Sequence, residues 1–91
     1  MPDYKMEIKF NPSFRKRHKK LNTKIKKAFH RRLELFIQDP RQPFLSDHPL
    51  VGKLQGYRAF SVTGDIRVIY YISEGTVYLV DIGTHNQVYG R

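Results

Sequence analysis

The stretch GDIRVIYYISEGTVYLVDIG, residues 64–83, decides the fold class of this 91-residue chain. It contains two apolar runs rich in β-branched and aromatic residues, with Glu74-Gly75 between them as a typical hairpin turn. A similar run precedes the stretch and is joined to it by Thr63-Gly64. The sequence therefore predicts an antiparallel meander of three strands, over residues 54–62, 66–73 and 76–82.

The N-terminal part of the chain predicts a strand followed by a helix. Residues 6–10, MEIKF, alternate apolar and polar side chains, as a half-buried strand does. Asn11 followed by Pro12 is a typical helix start, because asparagine caps the free N–H groups and proline suits the first helical position. This helix is predicted to end near Lys20.

Residues 21–23, LNT, interrupt the helical pattern, and Asn22 or Thr23 is predicted to cap a second helix that ends near Gln38. Apolar residues recur in it at steps of three and four, so one side is apolar. Residues 39–53 contain three prolines and one glycine and are predicted as a long, functional loop. The fold class is therefore α+β with two layers, in which both helices pack on one face of an antiparallel sheet completed by the three C-terminal strands.

Alternation along the predicted strands assigns side chains to the two faces of the sheet. The face predicted to meet the helices carries Ile66, Val68, Tyr70 and Ile72. The opposite face carries Asp65, Arg67, Ile69 and Tyr71. In the last strand the two faces carry Tyr78, Val80 and Ile82 on one side and Val77, Leu79 and Asp81 on the other. An Asp, an Arg and a Tyr on the face away from the helices form a candidate active surface.

Positive charge is concentrated in one part of the chain. The formal net charge is +9, and eleven Lys or Arg residues lie between Lys9 and Leu33, where no Asp or Glu occurs. A block of one sign indicates an anionic partner, either nucleic acid or an acidic protein. His18 and His30 lie within this block and are predicted as surface residues. The candidate phosphate contacts are Lys19, Lys20, Lys26, Lys27 and Arg31.

Length and composition indicate one domain, residues 1–91, and exclude several classes of site. There is no cysteine, so neither disulfides nor thiolate metal sites can form. No histidine pair has metal-ligand spacing and there is no Gly-rich phosphate loop, so we predict no metal or cofactor. No run approaches the roughly 20 apolar residues of a membrane span, and the N-terminus lacks a signal-peptide pattern, so a soluble, cytoplasmic protein without a membrane partner is expected.

Two stretches resemble a known family: DHPLVGKLQGYRAFSVTGDIRVIYYI, residues 47–72, and LVDIGTHNQVYG, residues 79–90. The pieces DHPL, GYR, GD-R-IY and GTH occur together and in order, which is similar to the YafQ-like branch of the RelE/ParE superfamily of toxins. The resemblance covers most of the chain and agrees with the predicted order of strands and helices. It implies a small ribonuclease that cuts mRNA, commonly in the ribosomal A site, and that is held inactive by an acidic antitoxin.

The resemblance also implies site residues. The histidine of DHPL, the strand aspartate, the strand arginine, the histidine of GTH and the C-terminal aromatic residue fall on His48, Asp65, Arg67, His85 and Tyr89. The chain departs from the YafQ-like pattern at two positions. Ser61 stands where the branch carries another histidine, and Ala59 stands where it carries an acidic residue. The set of proton-transfer groups is therefore smaller than the resemblance implies.

Cleavage of RNA without a metal needs a base for the 2′-OH, an acid for the leaving 5′-oxygen, and cations for the charge that develops on phosphorus. Histidine suits both proton transfers, because its ordinary pKa of about 6.5 is near neutral. We expect His85 to be the acid and either His48 or Asp65 to be the base, with Asp65 alternatively orienting a histidine. The predicted substrate-binding residues are Arg67, Lys53 and Arg58 for the phosphate and Tyr89 and Tyr71 for unpaired bases.

These residues also have structural interpretations. Asp65 suits the hairpin turn, and Arg67 suits a cross-strand pair with Glu74 or Asp81. The local sequence around His48 favours an exposed histidine in a turn, and His85 is equally typical of a surface loop. For the whole chain, the alternatives are a ParE-like gyrase poison on the same fold and a non-catalytic basic RNA-binding module.

Overall fold

The computed structural model describes residues 6–90, which contain the predicted strands and helices together with a short strand, a short helix and two 3₁₀ turns. The strands are β1 (Glu7–Phe10), β2 (His48–Pro49), β3 (Arg58–Ser61), β4 (Ile66–Ser73) and β5 (Thr76–Thr84). The helices are α1 (Pro12–His18), α2 (Thr23–Gln38) and α3 (His85–Tyr89). Within residues 6–90, no helix combines the length and apolar character that crossing a membrane requires.

The five strands of residues 6–90 form one sheet in the order β1-β5-β4-β3-β2. β3, β4 and β5 pair antiparallel, as predicted for the meander. β1 instead runs parallel to β5, with Glu7 opposite Thr76 and Phe10 opposite Leu79. The two helices carry the chain from β1 to β2 at the far edge, and the strands then return across the sheet until β5 lies beside β1. The sheet is therefore mixed.

Local signals fix the helix starts. Pro12 is the first residue of α1, and the side chain of Asn22 accepts a hydrogen bond of 2.9 Å from a backbone N–H in the first turn of α2. α2 ends at Gln38 as predicted, whereas α1 ends at His18 instead of near Lys20. The predicted strand over 54–62 is also shorter, because residues Gly52–Leu54 form a 3₁₀ turn and β3 begins at Arg58.

Both helices pack on one face of the sheet, which confirms the two-layer prediction. The Phe36 ring of α2 stacks 4.7 Å from Phe60 and meets the Tyr70 ring edge-on at 5.0 Å. Dense aromatic packing of this kind is the main source of stability in a small domain. The buried residues of this cluster are Phe14, Phe29, Leu33, Phe36, Leu45, Phe60, Val62, Ile66, Val68, Tyr70, Val77, Leu79 and Ile82.

A β-bulge interrupts the pairing of β4 with β5. Ile69 lies opposite Asp81, but the next residue, Tyr70, lies opposite Leu79. Val80 is therefore an extra residue in β5, and the alternation of side chains shifts by one position there.

The bulge corrects the predicted faces of the last strand. Simple alternation groups Ile82 with Tyr78 and Val80, but Ile82 is buried in the main core. The prediction was also wrong for Ile72, which is 56% exposed. Ile72 lies near the hairpin end of β4 and borders an open cleft with Pro40, where no helix covers it.

The face of the sheet away from α1 and α2 is only partly open to solvent, because α3 and the loop before β3 cover part of it. A second apolar cluster lies there, made of Ala59, Ile69 and Val88 with Leu50, Tyr57, Val80 and Tyr89 against it.

α3 was not predicted, although its signal is in the sequence. The Thr84 side chain accepts from the Gln87 N–H and the Gln87 side chain accepts from the Thr84 N–H, which together form a capping box.

Candidate functional site

A pocket of about 430 Å³ opens on the face of the sheet away from α1 and α2. Its walls come from three separate segments: the loop that contains β2, strand β4, and helix α3. The lining residues are His48, Pro49, Leu50, Val51, Leu54, Arg67, His85 and Tyr89. The fold thus brings two histidines, an arginine and a tyrosine from distant parts of the sequence to one concave surface.

A larger cleft, of about 580 Å³, lies against α1 and α2 and is mostly apolar. His18 lines it and is half-buried against the Phe14 ring, so its prediction as a surface residue was wrong, whereas His30 is exposed. Burial lowers the pKa of His18, and the charges of Lys26 and His30 act in the same direction. None of the predicted catalytic residues lines this cleft, so its size alone does not make it the candidate site.

His48 enters the pocket from β2, where it pairs with Ala59 at the edge of the sheet. Its imidazole is exposed, and Nδ1 lies 2.8 Å from the carbonyl oxygen of Ser46. Because a carbonyl oxygen can only accept, this contact requires the proton on Nδ1 and leaves Nε2 of the neutral ring as an acceptor. Ser46 itself is in the left-handed region, with φ of 49°.

His85 is the first residue of α3 and is exposed at the pocket. α3 lies close to the end of β5, since a Cβ on Gly83 would come within 2.6 Å of the Gln87 side-chain oxygen. The His85 ring meets the Tyr89 ring edge-on at 4.5 Å between centroids. The capping box and this ring contact together orient His85.

The Tyr89 hydroxyl is buried and has no hydrogen-bond partner within residues 6–90. Burial raises the pKa of Tyr89 above its ordinary value, while the positive charge of Arg67 acts in the opposite direction. The phenol is therefore protonated at neutral pH and retains an unused donor beside the guanidinium.

Arg67 projects from β4 between the two histidine-bearing segments. Its Nη1 donates a hydrogen bond of 3.0 Å to the hydroxyl of Ser61, its cross-strand partner on β3. Ser61, which stands at the position of a histidine in the YafQ-like pattern, thus holds the arginine. Asp81, one suggested partner of Arg67, forms an ion pair of 3.0 Å with Arg17 of α1.

Asp65 lies outside the pocket. It is exposed in the turn before β4, where its backbone N–H donates to the Thr63 hydroxyl at 3.2 Å. Ile66 pairs with Thr84, so Asp65 is at the same end of the sheet as His85. The predicted catalytic set is therefore brought together at His48, Arg67 and His85, with Asp65 beyond the rim.

Three predicted substrate-binding residues lie apart from the pocket. Arg58 is on the face toward the helices, where it forms an ion pair of 2.7 Å with Asp47. A side chain committed to that pair cannot also bind a phosphate on the other face. Lys53 is exposed in the 3₁₀ turn beside the lining residue Leu54. Tyr71 is farther along the pocket face, in a row of three tyrosine rings with centroid separations of 5.6 Å to Tyr57 and 4.9 Å to Tyr78.

The basic residues predicted to contact phosphate lie in the turn between α1 and α2 and on α2. Lys19, Lys20, Lys27 and Arg31 are exposed, and Lys26 is half-buried. They belong to the helical layer that covers the other face of the sheet. Lys20 also lines a cleft with Arg17 and Gln87, so positive charge extends from α1 to α3. Among residues 6–90 there is no group of three His, Asp or Glu side chains suited to hold a metal.

Comparison with known proteins gives a family for this chain. The family described as a bacterial toxin of the type II toxin-antitoxin system, YafQ, matches residues 4–90. Among curated proteins, none matches the chain.

Several solved structures share the fold, including YafQ and chains of two toxin-antitoxin complexes. YafQ from E. coli strain BL21(DE3) is 24% identical with a TM-score of 0.80, over 92% of this chain and 98% of that one. A chain of the E. coli DinJ-YafQ toxin-antitoxin complex is 23% identical with a TM-score of 0.78, over 94% and 99%. A chain of the RelBE2 toxin-antitoxin complex from Mycobacterium tuberculosis is 23% identical with a TM-score of 0.65, over 88% and 98%. Since the family match spans nearly the whole sequence, this chain belongs to the YafQ family of bacterial toxins from type II toxin-antitoxin systems.

Proposed function

We propose that this toxin is an endoribonuclease that cleaves mRNA without a metal ion, with His48, Arg67 and His85 as its working groups. The observation that carries the proposal is the convergence of these three side chains on one pocket from three separate segments of the fold. Two imidazoles and a guanidinium supply the base, the acid and the positive charge that phosphodiester cleavage needs. Membership of the YafQ family supports the same activity.

In the proposed reaction, Nε2 of His48 removes the proton from the ribose 2′-OH. The 2′-oxygen then attacks the adjacent phosphorus, and the bond from phosphorus to the 5′-oxygen breaks. His85 gives a proton to that departing oxygen, so the products are a 2′,3′-cyclic phosphate and a 5′-hydroxyl end. Arg67 stabilises the extra negative charge on the phosphorane.

The hydrogen bond from His48 to the Ser46 carbonyl supports His48 as the base, because it leaves Nε2 free to accept a proton. Asp65, the alternative base, is exposed outside the pocket, so we assign it no proton transfer. The Tyr89 ring lines the pocket, but its hydroxyl is buried, so we assign that hydroxyl no contact with the phosphate.

For the bases of the RNA, we propose that the row of Tyr57, Tyr71 and Tyr78 offers stacking surfaces beside the pocket. Exposed Lys53 would contact a neighbouring phosphate. Neither role depends on the sequence of the bases, since every base has a face on which an aromatic ring can stack.

The direct test is to incubate the purified toxin with translating ribosomes and to map the 5′ ends of the message. New 5′-hydroxyl ends at defined positions are expected. Inhibition of gyrase supercoiling without RNA cleavage would instead indicate a ParE-like poison, and RNA binding with neither effect would indicate a binding module.

We further propose that the basic helices guide the toxin to ribosomal RNA. Replacing Lys19, Lys20, Lys26 and Lys27 by Gln is expected to weaken ribosome association and to reduce the slope of log affinity against log salt by up to about four. The fold should persist, because no hydrogen bond within residues 6–90 uses these four ammonium groups. Co-sedimentation with ribosomes over a salt series measures both quantities.

A control variant removes the exposed cations Lys9 and Arg41, which lie on β1 and in the loop after α2. If phosphate contacts are specific to the helices, this variant should keep the wild-type salt slope. If both variants lose the same ribosome affinity per charge removed, net charge alone explains the association and the proposed role of the basic helices is wrong.

The partner that the family implies is a cognate antitoxin, and toxins of similar fold occur in the complexes DinJ-YafQ and RelBE2. We propose that an acidic antitoxin neutralises the positive surface of this chain, and that both act in the cytoplasm, where mRNA and ribosomes are. An excess of the antitoxin should abolish cleavage in the ribosome assay described above.

A further inference from the structure

Asp47 comes directly before His48, and its side chain is buried. Its side chain is 5% exposed, and Arg58 donates to it through Nη2 at 2.7 Å and through Nε at 2.8 Å. The Tyr70 hydroxyl donates to its other carboxylate oxygen. We call Asp47, Arg58 and Tyr70 the carboxylate clamp.

The clamp joins the pocket loop to the two strands that form the floor of the pocket. Arg58 begins β3 and Tyr70 lies opposite it in β4. Both point to the face that the helices cover, while the next residue in each strand, Ala59 or Tyr71, points to the pocket face. The clamp therefore holds the loop from behind the sheet, without touching the pocket.

Leu45 and Leu50 anchor the loop by apolar packing, but near His48 the backbone of the pocket wall pairs with the sheet over a short distance. β2 consists of His48 and Pro49 alone, followed by a backbone bond of 2.9 Å from Leu50 to Tyr57. A two-residue strand at a sheet edge gives weak register by itself. The buried Asp47 carboxylate, with charge-assisted bonds to residues of two strands, fixes the position of the loop that this short strand leaves weakly determined.

We infer that Asp47 is a positioning residue: through Arg58 and Tyr70 it fixes the turn before β2, so that the His48 ring bonds the Ser46 carbonyl and presents Nε2 to the pocket. This inference rests on the proposed function, in which His48 is the base. It also gives a role to Arg58, which does not reach the pocket.

The geometry of the clamp depends on the ionised carboxylate. Burial, followed by the Asp47 carboxylate, raises the pKa of Tyr70 well above its ordinary value, so its hydroxyl remains a donor. Asparagine at position 47 has nearly the same shape, but it cannot accept from Arg58 and Tyr70 with two equivalent, charged oxygens.

Replacing Asp47 by Asn is expected to lower kcat for RNA cleavage about 10- to 100-fold, because misplacement of a reacting group by about 1 Å has effects of this size. KM should change little, since Asp47 does not touch RNA. Tyr70→Phe keeps the ring in the core and removes one donor, so a smaller loss in the same direction is expected. An Asp47→Asn enzyme with wild-type kcat, or one impaired only in KM, would overturn the inference.

Asp39→Asn is the matched control, since it makes the same charge change in the same loop at an exposed carboxylate that bonds only the nearby Arg41 N–H among the contacts of residues 6–90. It should retain wild-type kcat. Circular dichroism of each variant at the assay temperature checks that the chain is folded, so loss of kcat cannot be mistaken for unfolding.

A double-mutant cycle tests whether Asp47 acts through His48. In a His48→Gln background, Asp47→Asn should cause no further loss of kcat, because the group that it positions is gone. A second loss of the same size in that background would show that Asp47 acts on something else, and the inference would be abandoned.

NMR separates this inference from the proposed function. Imidazole nitrogen shifts of wild-type protein should report His48 with its proton on Nδ1, and Asp47→Asn should convert this to a mixture of tautomers. Unchanged nitrogen shifts in the variant would refute the positioning role even if RNA is cleaved. If the wild-type protein cuts no RNA but Asp47→Asn still changes the tautomer of His48, only the proposed function is refuted.

Discussion

Replacing His85 by Ala is expected to lower kcat for mRNA cleavage by about 10²- to 10⁴-fold while the affinity for RNA stays near that of the wild type. Without an acid the 5′-oxygen must leave as an alkoxide, which raises the barrier of that step alone. His85 is exposed and its ring contacts only Tyr89 among the ring contacts of residues 6–90, so the fold should tolerate the change. Single-turnover cleavage and a binding titration measure the two effects separately.

A modified RNA substrate tests whether the effect of His85→Ala comes from the loss of proton donation. An RNA with sulfur in place of the bridging 5′-oxygen has a leaving group that departs as a thiolate without needing a proton. This substrate should restore much of the rate of His85→Ala but not that of His48→Gln. Asn86→Ala, at the next exposed residue of α3, is the control and should cleave normally. Failure of the sulfur substrate to help would argue against His85 as the acid.

Replacing Arg67 by Gln is expected to reduce kcat by about 10²- to 10³-fold, the usual effect of removing a donor aimed at developing charge. Glutamine can still hydrogen-bond Ser61, so the local contact of 3.0 Å has a substitute, but the positive charge in the pocket is lost. Arg67→Lys should recover part of the rate, because it restores the charge without the planar pair of donors. Cleavage of a short RNA at saturating concentration is the appropriate measurement.

Arg41→Gln is the matched control for this variant, since Arg41 is an exposed arginine away from the pocket. If both arginine variants lose activity equally, general attraction of RNA explains the result and the assignment of Arg67 to the phosphorane is wrong. A rate loss confined to Arg67, with binding retained, is the outcome expected of transition-state stabilisation.

The fold was predictable where short-range signals determine it. The hairpin at Glu74-Gly75 and the helix starts after Asn11 and Asn22 lie where the sequence indicates, although only the Asn22 side chain makes a capping hydrogen bond. The bulge at Val80 was not predictable, because alternation along a strand carries no sign of an extra residue in the pairing. The resulting misassignment of Ile82 follows from that one position.

The site was predictable in part for a similar reason. His48 and His85 were identified because their motifs resemble those of a known family. Both line the pocket, although β2 and α3, which carry them, were not predicted. Arg58 was misplaced, because its ion pair with Asp47 on the face toward the helices is not indicated by the sequence. The role of Asp47 gives no sequence signal, since only the folded sheet brings Tyr70 behind it.

The parallel pairing of β1 with β5 has a consequence for synthesis of the toxin. The strand at the start of the chain finds its neighbour only when residues 76–79 have been made, and α3 with His85 follows still later. A nascent chain also lacks the candidate pocket until nearly all of its residues have been made, because His85 and Tyr89 form one wall of that pocket. Contacts this distant in sequence form late in folding. Under the proposed function, a chain that is still being made cannot cut the message that encodes it, because His85 is not yet in place.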